Sequence, residues 1–186
     1  MLRPFLAPTL ALSAALLLLP TTRACSQENQ SAAVRAYNVA AALQNGGLYP
    51  RAAARWSDFL QKYPKDTRID QATYYLGICQ LHTKKYPQST ATFKSLIAKF
   101  PKFADLDGAH YNVAMCSYQV AVASKKPADF LQAALSFEAM VKAFPKSTHA
   151  PRACYFQGES YYAGEKLKEA AAAYAHLTTS YATSPL

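Results

Sequence analysis

Cys79, Cys116 and Cys154, with His82, His110, His149 and His176, are the side chains best suited to hold a metal or to act as nucleophile and base. Their spacing suits neither task. Structural zinc wants tight Cys-x-x-Cys or Cys/His clusters, and the sequence contains none. Each histidine stands without a carboxylate or nucleophile at a telling distance along the chain. Ser160 follows Gly158-Glu159, but the Gly-x-Ser-x-Gly nucleophile motif fails because residue 162 is Tyr. Six glycines in all could hardly supply a phosphate-cradling loop. The expectation is a chain with no catalytic residue, no cofactor and no metal. Cys79 and Cys116 read as small buried hydrophobes. An oxidising compartment would permit one disulfide among Cys79, Cys116 and Cys154, with one thiol left over.

The chemistry that remains is recognition. Tyr37, Tyr74, Tyr111 and Tyr155 recur in phase with a longer pattern. Tyrosine combines a broad apolar face with a hydroxyl, which suits the gripping of peptide segments. The competing reading is that these rings pack between neighbouring elements and are purely structural.

The elements that must position them are repeated. Tyr63-Pro64, Phe100-Pro101, Phe144-Pro145 and Tyr181-Ala182 mark one recurring point, at intervals of 37 (63 to 100), 44 (100 to 144) and 37 (144 to 181) residues. In phase with it run Trp56, Phe93, Phe137 and Tyr174, and the small residues Ala52, Ser89, Ala133 and Ala170. A second small column, Ala40, Gly77, Ala114 and Gly158, lies three residues after each tyrosine of the ladder. Phe93, Leu96, Ile97 and Phe100 follow a helical period, and the proline after the aromatic ends that helix. Each unit therefore reads as two helices, with small columns where backbones approach and a large aromatic filling the seam. One pair cannot bury its own apolar face, so the pairs must stack. The third unit is longer, and its extra residues fall around Ala121 to Asp129, read as a longer first helix and a Lys-Lys-Pro loop that could serve as a docking site.

The first 24 residues look like a secretory signal: Arg3, an apolar run from Leu6 to Leu19, then Thr22-Arg23-Ala24. Cleavage after Ala24 removes Arg3 and Arg23, leaving 18 basic against 11 acidic residues, a net charge of +7 rather than the whole chain's +9. A basic surface can attract nucleic acid. Here Lys62, Lys99 and Lys142 sit near helix C-termini, where cations complement the helix dipole, and Lys65, Lys102 and Lys146 follow the repeated prolines. They read as a solvated face, and nucleic acid is not an expected partner.

Gly77, Ser89, Phe93 and Pro101 together match the small-small-aromatic-proline skeleton of the tetratricopeptide repeat, and Leu76-Gly77 and Gly158-x-x-Tyr161 match further positions of it. The resemblance covers residues 33 to 182. Tyr63-Pro64 … Ala72-Thr73-Tyr74-Tyr75-Leu76-Gly77 and Phe144-Pro145-Lys146-Ser147 resemble the cell-envelope branch. That branch includes the Tol-Pal-associated periplasmic repeat protein and an outer-membrane assembly lipoprotein. Ala24-Cys25 likewise resembles the last two places of a bacterial lipobox. Lipidation of Cys25 and ordinary cleavage after Ala24 both fit these letters.

The resemblance implies an all-α, right-handed solenoid of about four antiparallel helix pairs that docks other envelope proteins or peptide segments. It also implies that first helices line a concave surface, so that Tyr37, Tyr74, Tyr111 and Tyr155, flanked by Ile78, Met115, Tyr118 and Tyr162, would form the binding ladder. The expected organisation is a signal segment over 1–24, a short linker over 25–32, and repeat units over 33–66, 67–103, 104–147 and 148–182. Residues 183–186 copy the opening of a further unit. Membrane association is expected only through Cys25, in the periplasm or on the periplasmic face of the outer membrane, and the oligomeric state is left open. The second reading is an N-terminal targeting region of a longer envelope enzyme or secretion component. A cytoplasmic chaperone adaptor would need lysines beside Asn38 and Asn112 on successive first helices, and these are missing.

Overall fold

The computed structural model describes the backbone of residues 21–184 and the side chains from residue 30. The leader and the Cys25 side chain lie outside the described residues. Eight helices follow one another: α1 (Thr21–Asn45), α2 (Tyr49–Lys62), α3 (Ile69–His82), α4 (Tyr86–Lys99), α5 (Leu106–Ser124), α6 (Pro127–Ala143), α7 (Ala150–Ala163) and α8 (Leu167–Ser180). No strand occurs among the described residues. The stretch 25–32, expected as a linker, is continuous helix within α1.

Local chemistry sets the boundaries. Proline occupies the first turn of α2, α4, α6 and α7, where its missing N–H costs nothing. The second helices end on an aromatic C-cap: the amides of Tyr63, Phe100, Phe144 and Tyr181 donate to Phe59, Leu96, Met140 and Leu177. In the first three of these, the next residue is a proline that cannot continue the helix.

Each helix packs on its chain neighbours, and the first helices α3 and α5 also touch each other. Trp56, Phe93 and Phe137 are fully buried in equivalent seams, while Tyr174, in the last pair, is only half-buried. The small columns explain the close approach. A methyl added at Gly77 would lie 2.7 Å from Phe93 Cζ, and one at Gly158 would lie 2.5 Å from Tyr174 Cε1. Ser89 Oγ donates to the Gly77 carbonyl at 2.8 Å, joining the two small columns by a buried hydrogen bond.

The extra length of the third unit is mostly helix. α5 has 19 residues and α6 has 17, against 14 in each of α2, α3, α4, α7 and α8. Only Lys125 and Lys126 connect α5 to α6. The longer first helix read from the sequence is thus present, α6 is lengthened too, and Pro127 of the Lys-Lys-Pro stretch opens α6.

Candidate protein-binding face on the first helices

The tyrosines of the first three units pack against residues of the following unit, each with a different partner. Tyr37 meets Trp56 and Phe59 edge-on, with ring centroids 4.8 and 5.5 Å away. The Arg68 guanidinium lies 4.5 Å over its ring, and its hydroxyl donates to Gln71 Oε1 at 3.0 Å. Tyr74 packs on Phe93 and Phe103 and accepts from Asn112 Nδ2 at 3.3 Å. Burial, reinforced by the nearby Asp105 carboxylate, pushes its phenol well above the ordinary tyrosine value. Tyr111 is buried and stacks on His149 at 5.0 Å and 12°. Arg68, Asp105 and His149 are the N-cap residues of α3, α5 and α7. The first residue of each following unit thus covers the tyrosine of the unit before it.

Tyr155 breaks this series. It is 38% exposed, against 9% for Tyr111, and Tyr162, two turns along α7, is 64% exposed. Tyr118 of α5 is half-buried among Phe130, Phe137 and Phe156. Ile78 and Met115 are half-buried against the cores of their own pairs. Of the residues expected to bind, Tyr37, Tyr74 and Tyr111 are thus committed to packing between units. Tyr118 and Tyr155 both meet the Phe156 ring across α5 and α7, and Tyr162 is exposed two turns along α7 from Tyr155.

Glu159 stands between Tyr155 and Tyr162 on α7 and has no counterpart in the expected ladder. It occupies the position held by Ala41, Ile78 and Met115 in the preceding units. Its Oε1 accepts the Tyr174 hydroxyl at 2.6 Å. The Tyr118 phenol is pushed up by burial first and then by the charges of Glu159 and Tyr155. The residue type was visible in the sequence, as the one charged member of an apolar column, but its tyrosine surroundings come from three helices.

A second grouping joins segments far apart in sequence. Donor atoms of Asp105, Asp107 and His149 all lie within 4.8 Å of one another. Ser147 Oγ donates to Asp107 Oδ2 at 2.5 Å, and His149 Nε2 lies 3.9 Å from Asp105 Oδ1. Burial raises the Asp107 carboxyl, but the hydrogen bonds from Ser147 and backbone amides outweigh it and hold the group below its ordinary value. The histidines are therefore not all remote from carboxylates, as linear spacing suggested. These donors could ligate a divalent ion, yet each already has a protein neighbour that accounts for its position.

Among the described residues, Cys79, Cys116 and Cys154 are free and buried. Burial pushes the Cys79 and Cys154 thiols up to about 11 and also raises Cys116. Thiols held protonated are poor nucleophiles and poor metal ligands.

The arrangement on the first helices offers aromatic surface and hydrogen-bonding groups. No curated protein gives a match. A solved structure titled MamA RS-1 ArsTM double mutant superposes with a TM-score of 0.65 at 17% identity, covering 81% of this chain and 76% of that one. At that identity it speaks for the fold alone. A tetratricopeptide-repeat family model matches residues 128–185. The model of the outer membrane lipoprotein family, YfiO, matches residues 27–156, and the chain belongs to that family.

Proposed function

We propose that this protein is a non-catalytic scaffold of the bacterial cell envelope that holds a segment of a partner protein on its first-helix face, in an outer-membrane assembly or Tol-Pal-like role. The exposure of Tyr155 and Tyr162 next to Tyr118 carries the reading. Large aromatic side chains left open beside a packed aromatic cluster are the usual anchors of protein interfaces. Family membership supports the envelope setting. Export through the leader and acylation of Cys25 complete the proposal, with the stack held at the periplasmic face of the outer membrane.

Two experiments test it. Capture from detergent-solubilised membranes by wild type is compared with Tyr155→Ser combined with Tyr162→Ser, both checked by circular dichroism. Loss of specific partners in the double variant is expected, and identical captures from an equally folded variant contradict the face. Fatty-acid labelling of wild type but not Cys25→Ala is expected, and equal labelling contradicts the anchor.

A further inference from the structure

One tyrosine of the column shows how this chain grips a cation. The Arg68 guanidinium lies 4.5 Å over the Tyr37 ring, and the Asp66 carboxylate holds the same guanidinium through two contacts of 2.8 Å. An aromatic face and a carboxylate share one positive group, an arrangement worth more than either contact alone. Unit four brings a tyrosine and a carboxylate to one helix, with the carboxylate supplied from a different position. Tyr155 is the matching tyrosine and is 38% exposed, and Glu159 stands one helical turn on, where Ala41, Ile78 and Met115 stand elsewhere. Among the described residues Glu159 has no basic partner. Its Oε1 is fixed by the Tyr174 hydroxyl, so the carboxylate is oriented rather than loose. Tyr162 flanks it on α7, and Tyr118 faces it from α5.

From this geometry we infer that the Tyr155–Glu159 site binds an arginine or lysine side chain of the partner segment. The inference rests on the proposed partner-binding face and adds the chemistry of what that face recognises. Ring faces attract a cation through their quadrupole, and a half-buried unpaired carboxylate gains most when a cation completes it. In a chain of net charge +9, a lone carboxylate amid tyrosines also sets one local preference against the general surface field. Arginine is favoured over lysine because a planar guanidinium can stack on Tyr155 while donating to Glu159.

The test titrates Nα-acetyl-arginine amide and its citrulline analogue into the full chain in detergent, with ring-labelled tyrosine followed by NMR. The arginine amide should shift the Tyr155 and Tyr162 ring signals, and citrulline, equal in shape but uncharged, should not. Glu159→Gln keeps an acceptor for Tyr174 and should weaken arginine binding by about tenfold, the scale of one partly desolvated cation contact. Equal responses to the two ligands, an unchanged Glu159→Gln, or no response to either would each overturn the cation site. The membrane capture would then still judge the face by itself, since Tyr155→Ser with Tyr162→Ser removes the aromatic anchors without invoking charge.

Discussion

At the scale of single residues, the small columns carry the tightest tolerances. A methyl at Gly77 lands 2.7 Å from a Phe93 ring that is fully buried and has nowhere to turn. Alanine is the better helix former by about 1 kcal/mol, but overpacking a closed core costs roughly 1–3 kcal/mol. Gly77→Ala should therefore be net destabilising by about 1 kcal/mol. Gly158→Ala meets Tyr174, a half-buried ring able to swing outward, and should be close to neutral; chemical denaturation of both variants checks the contrast. Ser160 gives the opposite sign. Its hydroxyl is fully buried without a hydrogen-bond partner, in the column that holds Cys79 and Cys116. Ser160→Ala should stabilise by about 1 kcal/mol, because it removes an unpaid desolvation. The small and large columns were legible in sequence because packing repeats with the unit. Glu159 among its tyrosines, and Asp105 and Asp107 beside His149, were not, since each grouping is assembled from separate segments brought together by stacking.

At the scale of elements, the turns inside each pair share a device that sequence alone hid. Gly47, Lys84, Lys125 and Glu165 all adopt positive φ, at 72°, 59°, 57° and 62°. Around Gly47, Lys84 and Glu165 the following amides donate back to Leu43, Gln80 and Tyr161, the paired closure of a Schellman cap. Lys125 uses only the simpler bond to Ala121, consistent with the lengthened helices on either side. Glycine suits this conformation, whereas other residues incur about 1–2 kcal/mol of strain. Lys84→Gly and Glu165→Gly should each stabilise by up to about 1 kcal/mol, less than the strain because glycine frees the unfolded chain. The expected readout is a higher urea midpoint at constant slope. Gly47→Lys should show the reverse. Pro87 follows one of these turns and lies in the first turn of α4. The longer first helix of the third unit was legible, because a run of Ala, Val and Ser extends a helix; the lengthening of α6 was not.

At the scale of the whole molecule, stacking has a pH signature. Burial raises Tyr74, Tyr111 and Tyr174 above the ordinary value of 10.0, and raises Tyr161 to about 12. The unfolded chain loses these phenolic protons first as pH rises, so their stabilising contribution is complete below pH 10 and disappears above it. Thiols raised from 9.0 to about 11 act in the same direction. Thermal stability should therefore fall steeply above pH 9–10. On the acid side, the Arg68 hydrogen bond, opposed by burial, holds Asp66 below its ordinary 3.8. Asp66→Asn should cost its full amount above that value, and the gap should close as pH falls through the folded pKa. Melting curves across both limbs check each sign. The number of pairs, their order and the family were readable from one sequence because a solenoid is specified locally, unit upon unit. Which tyrosines are covered was not, because it depends on contacts between units, such as Arg68 over Tyr37 and His149 on Tyr111. The decisive measurement is site-specific photo-crosslinking in the native envelope, with the probe at Tyr162 or Tyr155 of α7 or at Leu135, exposed on the second helix α6. Discrete partner adducts from positions 155 and 162 and none from 135 are expected; equal adducts from all three, or none from α7, would contradict a first helix that binds.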